Sequence, residues 1–343
     1  MKTKLFDYSL PKELIAQYPN KRRDHSRMLV INRKMGTIKH CKITDIINYL
    51  NPLDLLILNN TKVIPAKIYG KKATGGKLEF LFLEEVDKNC WKALIKASRR
   101  PLKGESFTLG NQNILASIIF EEEHGGVIIQ IEKEKSIIDL LNKEGSTPLP
   151  PYINRNKKNP FMTKQDKNRY QTIYASQPGA IAAPTAGLHF SSELFKNIRK
   201  HNIDIAEITL HVGIGTFKPV NSDNVSDHKM HAERFNISED TAKKITKIKN
   251  TSSKIVAVGS TSVRTLESLD IINETSGYTD IFIYPPYSFK HVDAILTNFH
   301  LPKSSLLMMM SAFTGYDLLM EAYNEAISKK YRFFSYGDCM LIL

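Results

Sequence analysis

His189, His211, His300 and Asp338 each lie beside a turn residue or the end of an apolar run. These are the positions where α/β proteins tend to place chemistry. Imidazole exchanges protons near neutral pH, so side chains of this kind, remote in sequence, could line one cleft and serve as acid and base. Any one histidine taken singly fits a satisfied structural role equally well. Two glycine-bearing turns accompany them. Gly213-Ile214-Gly215 follows an apolar run ending at Leu210, where backbone N–H groups can approach a ligand closely. It lacks the third glycine of a dinucleotide fingerprint. Gly259-Ser260-Thr261-Ser262-Val263-Arg264 stands between an expected strand and an expected helix. Such a turn offers amides and hydroxyls to a polar or anionic ligand, or simply caps the helix.

Two further patterns fail as sites. In Gly70 to Lys77, the first glycine of a phosphate loop would fall at Lys71, and Leu78 stands where its hydroxyl residue is needed. His228, His231 and Glu233 are close in sequence, and on a strand His231 and Glu233 share a face. Two imidazoles and one carboxylate on an undefined backbone are a weak metal signal, so no metal is expected.

These residues need elements to hold them. Up to about Pro65 the chain mixes helix and strand. Ile43, Ile46, Ile47 and Leu50 fall on one face of a short helix, and Leu55 to Leu58 is a continuous apolar run that suits a buried strand. From Ala66 to Ile131 the texture changes. Short β-like runs (Leu78 to Leu83, Trp91 to Ala97, Ile114 to Phe120, Val127 to Ile131) alternate with glycine breaks, which suggests a small all-β barrel or sandwich. Ser136 and Gly145 bracket a helix. Pro148-Leu149-Pro150-Pro151 is a stiff connector, and the polar stretch from Asn154 to Asn168 reads as an exposed loop. From Ala182 onward strands and helices alternate, with Ser192 and Ser238 as expected helix caps. That alternation argues an α/β domain. The expected architecture is a large α/β domain, with a mixed sheet or barrel and helices, split into 1–65 and 151–343 around an inserted small all-β barrel at 66–150.

Length and composition suit this plan. The 343 residues are enough for two cores, and apolar residues make up 42 % of them. No apolar stretch approaches the roughly 20 residues needed to span a bilayer, and the N-terminus does not read as a secretory signal. A cytoplasmic protein is expected. Three dispersed cysteines indicate neither a disulfide framework nor a zinc site built on cysteine pairs; they read as small buried apolar side chains. The net charge of +13 can draw in a polyanion such as nucleic acid, although a lysine-rich, Ile- and Asn-rich composition can also arise without any binding role.

Taken in order, several strings resemble the S-adenosylmethionine:tRNA ribosyltransferase-isomerase family of queuosine biosynthesis, nearly end to end. They include Phe6-Asp7-Tyr8-Ser9-Leu10-Pro11, Leu58-Asn59-Asn60-Thr61-Lys62-Val63-Ile64-Pro65-Ala66-Lys67 and Ala183-Pro184-Thr185-Ala186-Gly187-Leu188-His189-Phe190. Thr209-Leu210-His211-Val212-Gly213-Ile214-Gly215-Thr216-Phe217, Val258-Gly259-Ser260-Thr261-Ser262-Val263-Arg264, Thr297-Asn298-Phe299-His300-Leu301-Pro302 and Tyr331-Arg332-Phe333-Phe334-Ser335-Tyr336-Gly337-Asp338 follow. One departure is Pro286 in Tyr284-Pro285-Pro286-Tyr287, where glycine is usual in the family; Ser260 replaces a common threonine and keeps the hydroxyl.

The resemblance implies transfer and isomerisation of the ribosyl part of S-adenosylmethionine onto 7-aminomethyl-7-deazaguanine at the wobble position of tRNA. The products are epoxyqueuosine-tRNA, adenine and methionine. The implied partners are tRNAs with a GUN anticodon, those for aspartate, asparagine, histidine and tyrosine. The implied enzyme is a monomer without a cofactor, S-adenosylmethionine being consumed as co-substrate. Under this reading His189, His211, His300 and Glu233 are the catalytic candidates, with the base and the acid unassigned among them. Thr185, Gly187, Gly213, Gly215, Thr261 and Ser262 would contact the adenosyl group, Arg264 the methionine carboxylate, and Tyr336 the substrate. Lys62, Lys71, Lys72, Arg99 and Arg100 would grip tRNA, and Tyr152 or Tyr170 would stack on a base. Two other classes stay open: a different S-adenosylmethionine-dependent RNA-modifying enzyme such as a methyltransferase, and a non-enzymatic RNA-binding protein.

Overall fold

Continuous apolar runs and alternating ones sort this chain into two kinds of sheet. The computed structural model describes residues 1–122, 125–132, 136–155, 160–213, 219–269 and 275–343. Its first part carries β1 (Arg27–Asn32), β2 (Thr37–Lys42), β3 (Leu55–Asn59) and β4 (Thr61–Val63). Next come β5 (Lys67–Lys72), β6 (Lys77–Asp87), β7 (Cys90–Lys96), β8 (Ser106–Leu109), β9 (Ile114–Glu121) and β10 (Gly126–Ile131), then helices α1 (Ile137–Glu144) and α2 (Pro160–Arg169). The remainder holds β11 (Gln177–Ala180), α3 (Ser192–Lys200), β12 (Asp204–Leu210), β13 (Glu233–Ile237), α4 (Glu239–Lys249), β14 (Ile255–Val258), α5 (Ser260–Glu267), β15 (Ser276–Thr279), β16 (Ala294–Asn298), α6 (Ser305–Thr314), α7 (Tyr316–Ser328) and β17 (Cys339–Ile342).

Nine strands form a mixed sheet in the order β15-β13-β12-β3-β14-β16-β17-β1-β2. Within it β12, β3, β14 and β16 run parallel. β17 is antiparallel to β16, and β1 is parallel to β17. Every residue of β3, β14, β16 and β17 is buried, which is what a strand covered on both faces requires. Alternate side chains serve the two faces. Leu55, Ile57, Ala257 and Ile295 join the core under α4 to α7, while Leu56, Leu58, Val256 and Leu296 join the core under α3 and the segment Ile43–Asn48.

The second sheet is a closed antiparallel barrel in the order β10-β7-β6-β5-β8-β9. Phe80, Phe82, Phe107 and Trp91 fill it, with α1 packed on through Ile137, Leu140 and Leu141. The expected fold class, an α/β body with an inserted small all-β barrel, is the one observed. Local differences have plain causes. Ile43–Asn48 winds as a 3-10 helix, its one-turn length being too short to hold an α form. The cap of α3 is Ser191, not Ser192, its Oγ accepting from the Leu194 amide. Ser136 and Ser238 cap α1 and α4 as expected. β5 and β8 escape the alternation rule because they are short, and β5 is mostly lysine, glycine and tyrosine. Part of the stretch read as a loop is α2, whose polar sequence carries no apolar stripe. Of the three cysteines only Cys339 is buried.

Candidate functional site

The four parallel strands end at one edge of the sheet, at Leu210, Asn59, Val258 and Asn298, and polar side chains gather beyond those ends. In an open α/β sheet this carboxyl edge is where the helix and loop backbones diverge and leave a crevice. Gly259, at φ +86°, turns the chain from β14 into α5, a conformation that a side chain would strain. Asn59 closes an otherwise apolar strand and works as a brace. Its Nδ2 donates to Leu210 O (2.9 Å) and to Thr261 Oγ1 (3.1 Å), while Oδ1 accepts from the amides of Leu210 (3.1 Å) and Thr61 (3.1 Å). The ends of β3, β12 and α5 are thereby locked together.

Three adjoining concavities open along this edge, and each holds one of the candidate histidines. The central pocket lies between the Thr185–Ala186 turn, the Gly259–Thr261 turn and the Thr297–His300 segment, with Tyr152 and Phe334 at one side. None of its lining residues is lysine, arginine, aspartate or glutamate. His300 is fixed there by its backbone and its ring. Its amide donates to Tyr323 Oη (2.9 Å), Tyr8 Oη donates to its carbonyl, and its Nε2 pairs with Thr297 Oγ1 (3.0 Å). Burial pushes its pKa down to about 3, so the ring is neutral at physiological pH. No hydrogen bond to Nδ1 occurs among the described residues.

His189 lines a neighbouring cavity with Arg23, Arg169 and Tyr336. Both of its ring nitrogens are engaged, Nδ1 with Ser26 Oγ (2.8 Å) and Nε2 with the Asn298 amide (3.1 Å). Burial, opposed by the Asn298 bond, lowers its pKa to about 4. The ring ties β16 to the start of β1 and leaves no nitrogen for a substrate. His211 faces a wide polar groove bordered by Arg199, Arg234, Glu207 and Lys244. Thr61 Oγ1 meets its Nδ1 at 2.8 Å. A Cβ on Gly179 would stand 2.9 Å from the imidazole, so the missing side chain makes room for the ring. Burial lowers the His211 pKa, with Arg234 adding to the effect. Asp338 is a brace: its carboxylate accepts from the Arg27 and Arg332 amides (2.9 Å each) and from Arg27 Nε (3.2 Å).

The other candidates divide. Thr185 and Thr261 line the central pocket. Ser262 spends its hydroxyl on Val258 O (3.0 Å). Gly187 is packed under Tyr174, whose Oη would lie 2.0 Å from a Cβ there, so its close approach is to the protein. Arg264 and Glu233 are both buried and paired with each other, and Glu233 also accepts from the Gly213 amide (2.8 Å). The arginine that would hold a carboxylate already holds one. Gly215 lies outside the described residues. Tyr336 is buried with its Oη on Asp166 (3.2 Å), and Tyr170 is fully buried with its ring edge-on to Tyr336. Tyr170 therefore presents no face to a base. Tyr152, by contrast, lines the central pocket, its hydroxyl on Ser335 Oγ (2.7 Å). Lys62, Lys71, Arg99 and Arg100 are exposed; Lys72 pairs with Glu105 (3.6 Å) and Arg100 donates to Gly125 O.

Asn59, Thr61, Thr297 and Asn298 were not singled out from sequence. The available signal was an apolar run closed by asparagine, Leu55 to Asn59 and Ala294 to Asn298, since a buried amide at a strand end must be bonded to something. Among the described residues no group of three or more His, Cys, Asp or Glu is placed to hold a metal ion, and no helix is long and apolar enough to cross a membrane.

Comparison with known proteins gives one consistent result. Residues 3–342 match the family model described as queuosine biosynthesis protein. The chain is 47 % identical over its whole length to the full S-adenosylmethionine:tRNA ribosyltransferase-isomerase of Halothermothrix orenii. It is 48 % identical, again over the whole of both chains, to the protein of that name from a Sulfurihydrogenibium species. The crystal structure of an S-adenosylmethionine tRNA ribosyltransferase from Thermotoga maritima is similar with a TM-score of 0.56 and 36 % identity, covering 99 % of this chain and 100 % of that one.

Proposed function

The chain belongs to the queuosine biosynthesis protein family, and on that premise we propose that it is an S-adenosylmethionine:tRNA ribosyltransferase-isomerase. It moves the ribosyl group of S-adenosylmethionine to the exocyclic amine of 7-aminomethyl-7-deazaguanine at the wobble position of GUN-anticodon tRNA. There the group is rearranged to the epoxycyclopentanediol, and adenine and methionine depart. No cofactor is consumed besides the co-substrate, and the working unit is a cytoplasmic monomer.

The observation that carries this reading is His300, a neutral imidazole held in an uncharged pocket with Nδ1 unbonded to the described protein. The sulfonium acidifies the adjacent ribose C–H, and a neutral, pinned imidazole suits removal of that proton. With Thr297 Oγ1 accepting from Nε2–H, the Nδ1 lone pair is the base. The departing adenine takes up a proton, and His211, on the polar groove, is the nearer candidate for supplying it. The Glu233–Arg264 pair supports this chemistry by holding the Gly213 amide in place, not by touching substrate.

The test is direct: purified protein, tRNA carrying the precursor base and S-adenosylmethionine, with adenine release followed. Stoichiometric adenine and methionine support the proposal. Formation of S-adenosylhomocysteine would make the protein a methyltransferase, and tRNA binding without turnover would make it a binding protein.

A further inference from the structure

Asn298 is the one asparagine at the carboxyl edge whose amide is only half used. It is 3 % exposed. Its Nδ2 has three acceptors, His189 Nε2 (3.1 Å), Phe334 O (3.1 Å) and Asp338 O (3.4 Å), which fixes the orientation of the amide. Its Oδ1 is buried and has no hydrogen-bond partner among the described residues. Asn59, the corresponding residue of β3, has Oδ1 doubly satisfied. Leaving a buried acceptor unpaired costs about 1–3 kcal/mol, so an unfilled carbonyl beside a cavity points to a donor from outside the chain.

Asn298 lines the central pocket together with Thr261, Thr297 and His300, while its Nδ2 bonds tie the other side of the amide to His189. The pocket's chemistry narrows the donor. Its walls are small, aromatic or hydroxyl-bearing and carry no charged side chain. Such a lining disfavours a phosphate or a free carboxylate, which would be desolvated without compensation. It suits an uncharged heterocycle or sugar. A base still attached to a tRNA backbone would bring its phosphates to the rim, so a free nucleoside group fits better.

We propose that the central pocket receives the adenosyl part of the sulfonium co-substrate and that Asn298 Oδ1 accepts a hydrogen bond from an N–H or O–H of that group. The assignment rests on the ribosyltransferase reading above and adds to it the specificity-determining residue. Because Oδ1 is out of reach of solvent, only a group that enters the pocket and presses on its wall can satisfy it. A ligand lacking the donor leaves the acceptor empty and binds more weakly.

The experiment measures binding, so it can fail while adenine release succeeds. Affinities of the wild-type chain are compared for adenosine, purine riboside (no 6-amino group), 2′-deoxyadenosine, 3′-deoxyadenosine and 7-deazaguanosine. We expect adenosine to bind, one analogue lacking a single donor to lose at least tenfold, and 7-deazaguanosine to bind no better than that analogue. Asn298→Ala should erase the discrimination between adenosine and that analogue, and Asn298→Asp, which keeps the acceptor, should retain it. If all three adenosine analogues bind within twofold of adenosine, no donor is being received and the proposal fails, whether or not either variant folds. Discrimination that survives in folded Asn298→Ala would move the acceptor elsewhere, and preferential binding of 7-deazaguanosine would hand the pocket to the tRNA base.

Discussion

In the large sheet β3, β14 and β16 are buried from end to end, whereas β6, β7 and β9 of the barrel alternate buried and exposed residues. The difference decides where polar chemistry can sit. A strand covered on both faces has nowhere to put a polar side chain except at its end, so Asn59, Asn298 and the Gly259 turn concentrate at one edge, desolvated and hydrogen-bonded to one another. A barrel strand sends every second residue outward, so polar groups spread over its surface in contact with water. The sheet edge is therefore suited to shifting the proton affinity of a buried ring, and the barrel to presenting charge. Lys71 and Lys72 end β5, Lys77 begins β6 and pairs across to Lys71, and Lys96 ends β7 opposite Glu79. These lysines thus share one end of the barrel. The opposite end carries the backbone pairing of Lys67 with Ser146, where the chain enters and leaves.

The sharpest way to break this division is to remove the ring at the sheet edge. His300→Ala should lower turnover at least tenfold and up to about a hundredfold, the usual range for a general base, with tRNA affinity unchanged. His211→Ala should lower it at least tenfold. Thr297→Val should reproduce part of the His300 loss and Thr297→Ser restore it, because the hydroxyl sets the tautomer and not the packing. Adenine-release rates and a tRNA binding curve for each variant check this. Near-normal turnover in folded His300→Ala would take the chemistry away from the central pocket.

The barrel prediction is the counterpart. Neutralising Lys71, Lys72, Arg99 and Arg100 together should weaken tRNA binding and flatten its salt dependence, by up to about 3 in log–log slope at roughly 0.7 per single-strand phosphate contact. Affinity for S-adenosylmethionine should hold. Lys72 and Arg100 already have partners in Glu105 and Gly125, so Lys71 and Arg99 should account for most of the change. An unchanged slope would mean that this end is only a solvated face.

Much of this contrast was legible in the sequence. Unbroken runs such as Leu55 to Leu58 marked the sheet and alternation from Leu78 marked the barrel, because periodicity records burial directly. The histidines and the Gly259 turn were legible as individual sites. Their grouping was not: spacing along the chain says nothing about which strand ends become neighbours, and three histidines expected in one cleft occupy three adjoining concavities. Nor does a residue type reveal whether its polar atoms are already spent. Arg264 reads as a carboxylate clamp until Glu233 is found in its grip, and Tyr170 reads as a stacking platform until it proves fully buried.

A smaller effect follows from the same desolvation. His300 and His189 have folded pKa values of about 3 and about 4, below the roughly 6.5 of an unfolded histidine. Between those limits the unfolded chain binds more protons, so stability is fully present above about pH 6.5 and falls as pH drops toward the folded values. Each ring contributes a slope of at most about 1.4 kcal/mol per pH unit. Denaturant midpoints at pH 7.5, 6 and 5 should decline, and folded His300→Gln should decline less steeply. Equal slopes in the two proteins would show that His300 is not buried neutral in solution.

The smallest expected effect is none. His228, His231 and Glu233 lie close in sequence, and a metal there would put the catalytic charge outside the uncharged pocket. The side chains are committed otherwise. Glu233 gives Oε1 to the Gly213 amide and Oε2 to Arg264, and the His228 ring packs edge-on against Phe282 at 5.1 Å. Burial, with His231 nearby, also lowers the His228 pKa. A metal would have to displace a buried guanidinium to reach the carboxylate, leaving that charge unpaired at a cost of several kcal/mol. Turnover measured with 1,10-phenanthroline, which spares the magnesium that folds tRNA, should match the untreated rate. Inhibition reversed by added zinc would show that the Glu233–Arg264 pair opens, and that the sheet edge is not the charge-free site that distinguishes it from the barrel.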